Sequence, residues 1–161
     1  MNIPHSDAFV FFGATGDLAF KKIFPSLQAM TKRGNLNMPV IGVARSAKDV
    51  DELRARARAS LEQSGKFDPD AFGKLSSLLR YVRGDNSDPT TYQALRKELG
   101  SARHPVFYLA IPPASFAVVV EELGKSDCRC GARVIVEKPF GRDGTSAREL
   151  NRILSSAFSI A

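Results

Sequence analysis

The sequence contains no tryptophan, and in 161 residues it has only two cysteines and two histidines. Cys128 and Cys130 are separated by one residue, and a single Cys-x-Cys pair favours neither a stapling disulfide nor a zinc site. We therefore expect no disulfide framework and no metal centre. The longest apolar runs, residues 9–12 and 106–113, are far shorter than the ~20 residues that a membrane-spanning helix needs, so we expect no membrane partner.

Residues 1–7 contain no basic segment followed by an apolar core and a cleavage site, so we also expect no secretory signal. We therefore expect a cytoplasmic protein. Hydrophobic residues make up 43% of the chain and charged residues 25%, which is the balance of a globular protein rather than a disordered one. The length is that of one ordinary domain, able to bury roughly 70% of the surface that its unfolded form exposes.

The basic character of the chain limits its partners. The net charge of +6 suits either nucleic acid or small phosphate ligands. Basic residues are scattered along predicted helices and are not interleaved with exposed aromatic residues, so we expect no nucleic-acid partner. Arg54, Arg56 and Arg58 step by two along one such helix. This spacing places them on different sides of the helix, and we expect them to be solvated.

Short apolar runs alternate with segments of helical periodicity along the chain. We predict strands at residues 8–12, 39–44, 79–83, 104–111 and 133–137, and helices at residues 17–30, 49–63, 69–79, 88–99, 112–125 and 146–158. Solidly apolar strands between helices indicate parallel strands joined by right-handed crossovers. The sequence therefore predicts an α/β fold: a doubly wound, mostly parallel Rossmann sheet with helices on both faces. We expect residues 1–161 to form one such domain.

Two glycines three residues apart follow the first predicted strand and open the first helix. Gly13 allows a tight turn, and a side chain at Gly16 would block the approach of the backbone to a pyrophosphate on the helix N terminus. Ala19 is the third small residue, where helix and strand pack closely. The pattern alone is also compatible with a plain strand-to-helix turn, but its position after the first buried strand favours a dinucleotide-binding fingerprint.

The end of the second predicted strand indicates which dinucleotide is bound. NAD-specific domains usually carry an acidic residue there for the adenine-ribose 2′-hydroxyl, whereas this chain has Arg45 and Ser46. Arginine presents a planar fork of donors that suits a 2′-phosphate, and the hydroxyls of Ser46 and Thr15 can add hydrogen bonds. We therefore predict NADP as the cofactor, and the additional use of NAD stays open.

Four motifs occur together in the order found in one family. They are residues 11–19 (FFGATGDLA) with 22–25 (KIFP), residues 42–46 (GVARS), residues 108–113 (YLAIPP) and residues 134–141 (VIVEKPFG). From about residue 8 to about residue 158, the chain resembles the N-terminal NADP-binding domain of the glucose-6-phosphate dehydrogenase family. The resemblance implies oxidation of D-glucose 6-phosphate by NADP to 6-phosphogluconolactone, in the oxidative pentose phosphate pathway, by a full-length enzyme that forms a homo-oligomer.

The resemblance also implies roles for individual residues. Asp85 and Asn86 would lie near the adenosine, and residues 110–113 would line the nicotinamide side. Lys138 would lie between cofactor and sugar phosphate, and Lys22 would reach the substrate, although Lys22 also fits a solvated helix surface. The implied cofactor-binding residues are Gly13, Ala14, Thr15, Gly16, Asp17, Leu18, Ala19, Arg45, Ser46, Asp85, Asn86, Ala110, Ile111, Pro112 and Lys138, and the implied substrate-binding residues are Lys22 and Lys138.

The catalytic base of the family is expected elsewhere. It is a histidine in an Arg-Ile-Asp-His-Tyr-Leu-Gly motif downstream of the last helix predicted here, and a further domain completes the sugar phosphate pocket and the oligomer interface. His5 lies in the N-terminal tail, and His104 precedes a strand, at the edge opposite the ligand crevice. We expect no catalytic residue and no turnover in this chain alone, whether its length is natural, engineered or proteolytic.

Two other classes share part of the pattern. Sugar oxidoreductases of the glucose-fructose oxidoreductase and inositol dehydrogenase type also join a Rossmann domain to a Glu-Lys-Pro loop. Their fingerprint is usually the tighter Gly-x-Gly-x-x-Gly, so Asp17, Leu18 and the prolines at 112–113 favour the first family. A non-catalytic NADP-binding module, such as a sensor, is compatible with the same fold.

Overall fold

The computed structural model describes residues 7–34, 36–125 and 133–136. The strands are β1 (Ala8–Phe12), β2 (Val40–Ala44), β3 (Leu79–Arg83), β4 (Pro105–Leu109) and β5 (Arg133–Val136). The helices are α1 (Phe24–Lys32), α2 (Val50–Gln63), α3 (Pro69–Leu78), α4 (Pro89–Leu99) and α5 (Phe116–Lys125). A π-helical segment, Ala19–Ile23, precedes α1, and a 3₁₀ turn, Pro113–Ser115, precedes α5.

The five strands form one parallel sheet in the order β3-β2-β1-β4-β5. The first strand is therefore central, and Phe11 of β1 pairs with Gly42 of β2 on one side and with Tyr108 of β4 on the other. This is the strand order of the Rossmann fold. The predicted fold class is confirmed.

Both faces of the sheet are covered by helices. Phe9 and Phe11 of β1 pack with residues of α1, α2 and α3 on one face, and Val10 and Phe12 pack with residues of α4 and α5 on the other. These four side chains are fully buried. A strand that is buried on both faces is apolar at every position, which explains the uninterrupted run from which β1 was predicted.

Aspartates cap three of the helices. The carboxylates of Asp49, Asp68 and Asp88 accept hydrogen bonds from backbone N–H groups in the first turns of α2, α3 and α4. Pro69 and Pro89 occupy the first turns of the last two, where the missing N–H of proline has no cost. The starts of these helices were predicted to within one residue because the signals lie in the local sequence.

The first predicted helix, residues 17–30, has a different backbone from the one expected. Helical backbone begins at Asp17, but the N–H of Phe24 bonds to the carbonyl of Ala19, five residues earlier. Pro25 accounts for this, because it has no N–H and its ring crowds the carbonyl one turn before it. One wide turn, Ala19–Ile23, accommodates the proline.

Two further boundaries differ from the prediction. The strand predicted at residues 104–111 is shorter, so Ala110, Ile111 and Pro112 lie in the connection to α5. That helix begins with a tighter 3₁₀ turn, because neither residue 112 nor residue 113 has an N–H to donate. The helix predicted at residues 146–158 lies outside the described residues, as do both cysteines. In the part that is described, no helix combines the length and the apolar character that a membrane crossing requires.

Candidate functional site

The order of the strands creates a crevice at one point of the sheet. The chain runs from β1 outward through β2 to β3, and then returns to the other side of β1 to form β4. The connections after β1 and β4 therefore leave in opposite directions. Ligands of open α/β sheets bind in the crevice that this divergence opens, outside the carboxyl ends of the strands.

The turn after β1 packs tightly against its neighbours. The backbone N–H groups of Gly13 and Ala14 donate to the carbonyl oxygen of Val43 at 3.0 and 3.2 Å, and the N–H of Gly16 donates to the carbonyl oxygen of Gly13 at 2.9 Å. Gly13 has a φ of +80°, and a Cβ atom there would lie 2.1 Å from the carbonyl oxygen of Ala110. Both the backbone conformation and the closeness of the chain after β4 therefore require a glycine at this position.

Gly16 differs from Gly13, because the described chain supplies no comparable reason for a glycine. Beyond its chain neighbours, a Cβ atom at Gly16 would have only the carbonyl oxygen of Gly13 within 4 Å, at 3.3 Å. The turn leads directly into helical backbone at Asp17, and the first N–H groups of a helix have no partner within it. Open space beside such groups suits a phosphate.

The other residues of the predicted fingerprint differ in how far they are buried. Ala14 and Ala19 are fully buried, which fits their expected role in close packing. Thr15 and Leu18 are half-buried, and Asp17 is exposed at the start of the helix. The exposed and half-buried residues are those that could reach a ligand.

Gly42 in β2 makes room for the turn, a role that was not predicted from the sequence. A Cβ atom at Gly42 would lie 2.9 Å from the Cβ of Ala14 and 2.8 Å from Cδ2 of Leu53. A side chain here would therefore push the turn away from β2. A glycine inside an otherwise apolar strand is the signal that could have indicated such a close approach.

Arg45 follows β2 at the same edge of the sheet as the glycine turn. Its side chain is 76% exposed, and its Nη1 lies 3.3 Å from Oδ2 of Asp85, which follows β3. The Asp85 carboxylate also accepts hydrogen bonds from the N–H and the hydroxyl of Ser87, at 2.8 and 2.7 Å. These two hydrogen bonds, followed by the charge of Arg45, hold the pKa of Asp85 below its ordinary value of 3.8. The structure thus brings together two predicted site residues, 40 positions apart, as an ion pair.

The backbone around Arg45 is held by β3. The hydroxyl of Tyr81 lies 2.9 Å from the carbonyl oxygens of both Ala44 and Ala47 and can donate to either, and burial raises the pKa of this phenol. The Nε of Arg83 donates to the carbonyl oxygen of Arg45 at 3.3 Å. Neither Tyr81 nor Arg83 was predicted as part of the site, because nothing in the local pattern of β3 indicates contacts to β2.

The loop after β3 is anchored to α4. The hydroxyl of Thr91 donates to the backbone carbonyl oxygen of Asp85 at 2.8 Å, and the hydroxyl of Tyr92 donates to the backbone carbonyl oxygen of Asn86 at 2.7 Å. Asp85 and Asn86 therefore lie at the carboxyl end of β3, beside Arg45. Ser46 is exposed next to Arg45.

The residues after β4 border the crevice on its other side. The N–H of Ala110 donates to the carbonyl oxygen of Phe12 at 3.1 Å. Ala110 is buried, Ile111 is half-buried and Pro112 is exposed. This segment directly contacts the glycine turn, since the carbonyl of Ala110 faces Gly13.

Of the lysines and histidines considered from the sequence, the structure describes one of each. Lys22 is exposed on the π-helical segment that follows the glycine turn. Lys138 and His5 lie outside the described residues. His104 is exposed at the amino end of β4, where its backbone N–H donates to the carboxylate of Asp7 at 2.8 Å. The amino ends of parallel strands lie at the edge opposite the crevice, so the predicted position of His104 is confirmed.

The expectation that three arginines of α2 are solvated holds for Arg58 and only in part for the other two. Arg58 is exposed, but Arg54 and Arg56 are half-buried. The guanidinium of Arg56 lies 4.9 Å from the ring centre of Phe20, and its Nη2 donates to the carbonyl oxygen of Gly16 at 3.4 Å. Arg56 is thus directed at the first helical turns after β1, and the Nε of Arg54 donates to the carbonyl oxygen of Ser76 in α3 at 3.1 Å.

Sheet order, glycine turn and crevice together define a dinucleotide-binding domain of the Rossmann type. Residues 10–160 match the family described as "Glucose-6-phosphate dehydrogenase, NAD binding domain". This chain belongs to that family.

Its relatives are longer proteins. Glucose-6-phosphate 1-dehydrogenase 1 of Mycobacterium tuberculosis is 43% identical over 146 residues, which cover 91% of this chain and 31% of that protein. The crystal structure of glucose-6-phosphate 1-dehydrogenase from Mycobacterium avium matches with a TM-score of 0.90 at 42% identity, covering 96% of this chain and 35% of that one. A structure of glucose-6-phosphate dehydrogenase in complex with its substrate glucose-6-phosphate matches with a TM-score of 0.84 at 32% identity, covering 99% and 36%. This chain therefore spans about a third of the length of these relatives.

Proposed function

We propose that this chain binds NADP for the oxidation of D-glucose 6-phosphate to 6-phosphogluconolactone. The observation that carries the proposal is the exposed guanidinium of Arg45. Arg45 directly follows β2, the strand that pairs with β1, and the glycine turn follows β1. An NAD-specific domain usually has a carboxylate at this point for the 2′-hydroxyl, whereas a guanidinium suits the 2′-phosphate of NADP. The whole reaction is proposed from the family, since this chain spans about a third of its relatives.

The pyrophosphate would rest at residues 13–19. Gly16 leaves the space for it, and the N–H groups at the start of the helix would donate to its oxygens. The partial positive charge of the helix N terminus favours the same arrangement. Thr15, half-buried beside Gly16, would add its hydroxyl.

The 2′-phosphate would be held by the fork of Arg45. The Asp85 carboxylate lies 3.3 Å from one terminal nitrogen of that fork, Nη1. The N–H groups of the guanidinium that do not face Asp85 could then donate to phosphate oxygens. Ser46 would donate from the next position, and Asp85 and Asn86 would border the adenosine. The hydrogen bonds from Tyr81 and Arg83 to this loop support the proposal, because a fixed backbone lowers the entropy cost of binding.

The nicotinamide end would lie beside Ala110, Ile111 and Pro112. Bound NADP would accept a hydride from C1 of the sugar, which is the chemistry that the cofactor supplies. Lys22 and Lys138 would contact the substrate, with Lys138 between the sugar phosphate and the cofactor. One relative of known structure is in complex with glucose-6-phosphate. In this chain, the contact of both lysines with the sugar stays a proposal.

Proton abstraction from the sugar requires a base within hydrogen-bond reach of the reacting hydroxyl. His104, the one histidine among residues 7–34, 36–125 and 133–136, lies at the opposite edge of the sheet. We therefore assign cofactor binding to this part of the enzyme and the base to another part. Cytoplasmic location and homo-oligomeric assembly of the whole enzyme stay predictions.

An NMR titration tests the proposed contacts. NADP should shift the backbone amide signals of residues 13–19 and 45–46, whereas NAD should shift those of residues 13–19 with little change at Arg45. The amide of His104 provides the internal control, because it lies at the far edge of the sheet. Shifts concentrated near His104, or identical shifts at Arg45 with both dinucleotides, would contradict the proposal.

A further inference from the structure

Arg56 differs from the two arginines beside it on α2. Arg54 pairs with Asp51 at 2.9 Å, and Arg58 pairs with Glu62 at 2.6 Å. Within the described ranges, Arg56 has no carboxylate partner. Its guanidinium lies over the ring of Phe20 and donates to the carbonyl oxygen of Gly16. Arg58 also covers a ring, that of Phe67, and Arg54 also donates to a backbone carbonyl, that of Ser76, but neither contacts the glycine turn.

The Nε of Arg56 is buried and has no hydrogen-bond partner among the described residues. Buried donors are normally satisfied, and an exception calls for an explanation. The position of this guanidinium is therefore not the one that best satisfies its own donors. It is the position from which Nη2 reaches Gly16 while the plane of the group covers Phe20.

Ser60, one turn further along α2 than Arg56, contacts the helical segment that follows the glycine turn. The buried hydroxyl of Ser60 donates to the carbonyl oxygen of Phe20. That carbonyl needs an outside donor, because the N–H of Phe24 bonds to Ala19 and the following residue is a proline. Helix α2 thus contacts two carbonyls that are one helical turn apart.

The contact with Gly16 lies at the beginning of the helix. The Gly16 carbonyl also accepts the N–H of Phe20 at 3.1 Å, so it is the first acceptor of the helical ladder. Fixing its direction fixes the plane of the peptide between Gly16 and Asp17, because the peptide unit is planar. The N–H of Asp17 belongs to the same peptide unit.

We propose that Arg56 is a positioning residue for dinucleotide binding, which sets the orientation of the phosphate-binding turn through the carbonyl of Gly16. The inference rests on the proposed function, since the pyrophosphate is the ligand of that turn. The proposed effect of Arg56 is indirect, through its hydrogen bond to the Gly16 carbonyl. Its effect should therefore be limited to ligands that contain a pyrophosphate.

The test compares two ligands in the 161-residue chain by calorimetry. NADP contains both the 2′-phosphate and the pyrophosphate, and adenosine 2′-phosphate contains only the first. Arg56→Met removes the guanidinium and keeps most of the stem, and it should raise the Kd for NADP about tenfold while changing the Kd for adenosine 2′-phosphate less than about twofold. Arg54→Met is the matched control and should leave both values unchanged.

Arg56→Lys is the second variant, in case Arg56→Met does not fold. It keeps the charge and one donor for Gly16 but not the planar group over Phe20, so it should recover part of the NADP affinity. Equal losses for the two ligands, no loss for NADP, or the same loss in Arg54→Met would each overturn the inference. If the unaltered chain fails to bind NADP, the proposed function fails first; if it binds and Arg56→Met binds equally well, only this inference fails.

Discussion

The two glycines of the turn should respond differently to the same substitution. At Gly13, a Cβ atom would lie 2.1 Å from a backbone oxygen, and the residue has a φ of +80°. The left-handed conformation costs a non-glycine residue about 1 to 2 kcal/mol, and overpacking against a backbone that must move adds about 1 to 3 kcal/mol. We therefore expect Gly13→Ala to lower the free energy of unfolding by about 2 to 5 kcal/mol.

Two other glycines separate these contributions. Gly34 has a φ of +78°, but a Cβ atom there would have nothing within 4 Å, so Gly34→Ala should cost only about 1 to 2 kcal/mol. Gly16 has one contact at 3.3 Å and no left-handed backbone, so Gly16→Ala should cost at most about 1 kcal/mol. Urea unfolding of the three variants, followed by circular dichroism, gives these values directly.

The expected order of destabilisation is Gly13→Ala, then Gly34→Ala, then Gly16→Ala. If the loss at Gly13 is no larger than the loss at Gly34, the close contact with Ala110 does not exist in solution. A large loss of stability in Gly16→Ala would show that this glycine is required by the fold and not by a ligand.

Four other predictions concern the ligand, pH and turnover. Arg45→Ala should weaken NADP binding by roughly 1.5 to 3 kcal/mol and leave NAD binding nearly unchanged in calorimetry; equal losses for both would be inconsistent with a 2′-phosphate contact. Gly16→Val should remain folded by circular dichroism and lose NADP binding, because the branched side chain fills the space of the pyrophosphate; retained affinity would mean that the turn is only structural. The lowered pKa of Asp85 means that its ionised form stabilises the fold above pH 3.8 and that this contribution disappears as the pH falls through the lower folded-state pKa. Asp85→Asn should therefore flatten the acid limb of the unfolding curve, and an unchanged limb would contradict the assignment. The 161-residue chain, mixed with NADP and glucose 6-phosphate, should show no rise in nicotinamide absorbance beside a full-length relative, and turnover within about a hundredfold of that control would place the base in this part of the enzyme.

The architecture could be predicted because its signals are local. A strand buried on both faces is apolar along its whole length, as in β1, and an aspartate before a proline begins a helix, as at Asp88. Parallel strands with helical connections then allow few topologies. The glycine turn and Arg45 could be predicted for the same reason, since each directly follows a strand that the sequence indicates.

Contacts between distant parts of the chain could not be predicted in this way. Arg54, Arg56 and Arg58 look alike in the sequence, but only Arg56 reaches Gly16, 40 positions away. The support of the Arg45 loop by Tyr81 depends on the register of β2 against β3, which no local pattern encodes. Pro25 marks an irregularity in the first helix, but the hydrogen bonds that it redirects become apparent only when α2 is in place.

Discrimination between dinucleotides at the adenine ribose is the property on which the proposed role of this chain depends most. Calorimetric titration of the 161-residue chain with NADP and with NAD, at the same salt concentration, tests it most directly. We predict that NADP binds at least about tenfold more tightly, as one charge-assisted contact to the 2′-phosphate requires. Equal affinity for the two dinucleotides, or tighter binding of NAD, would contradict the claim.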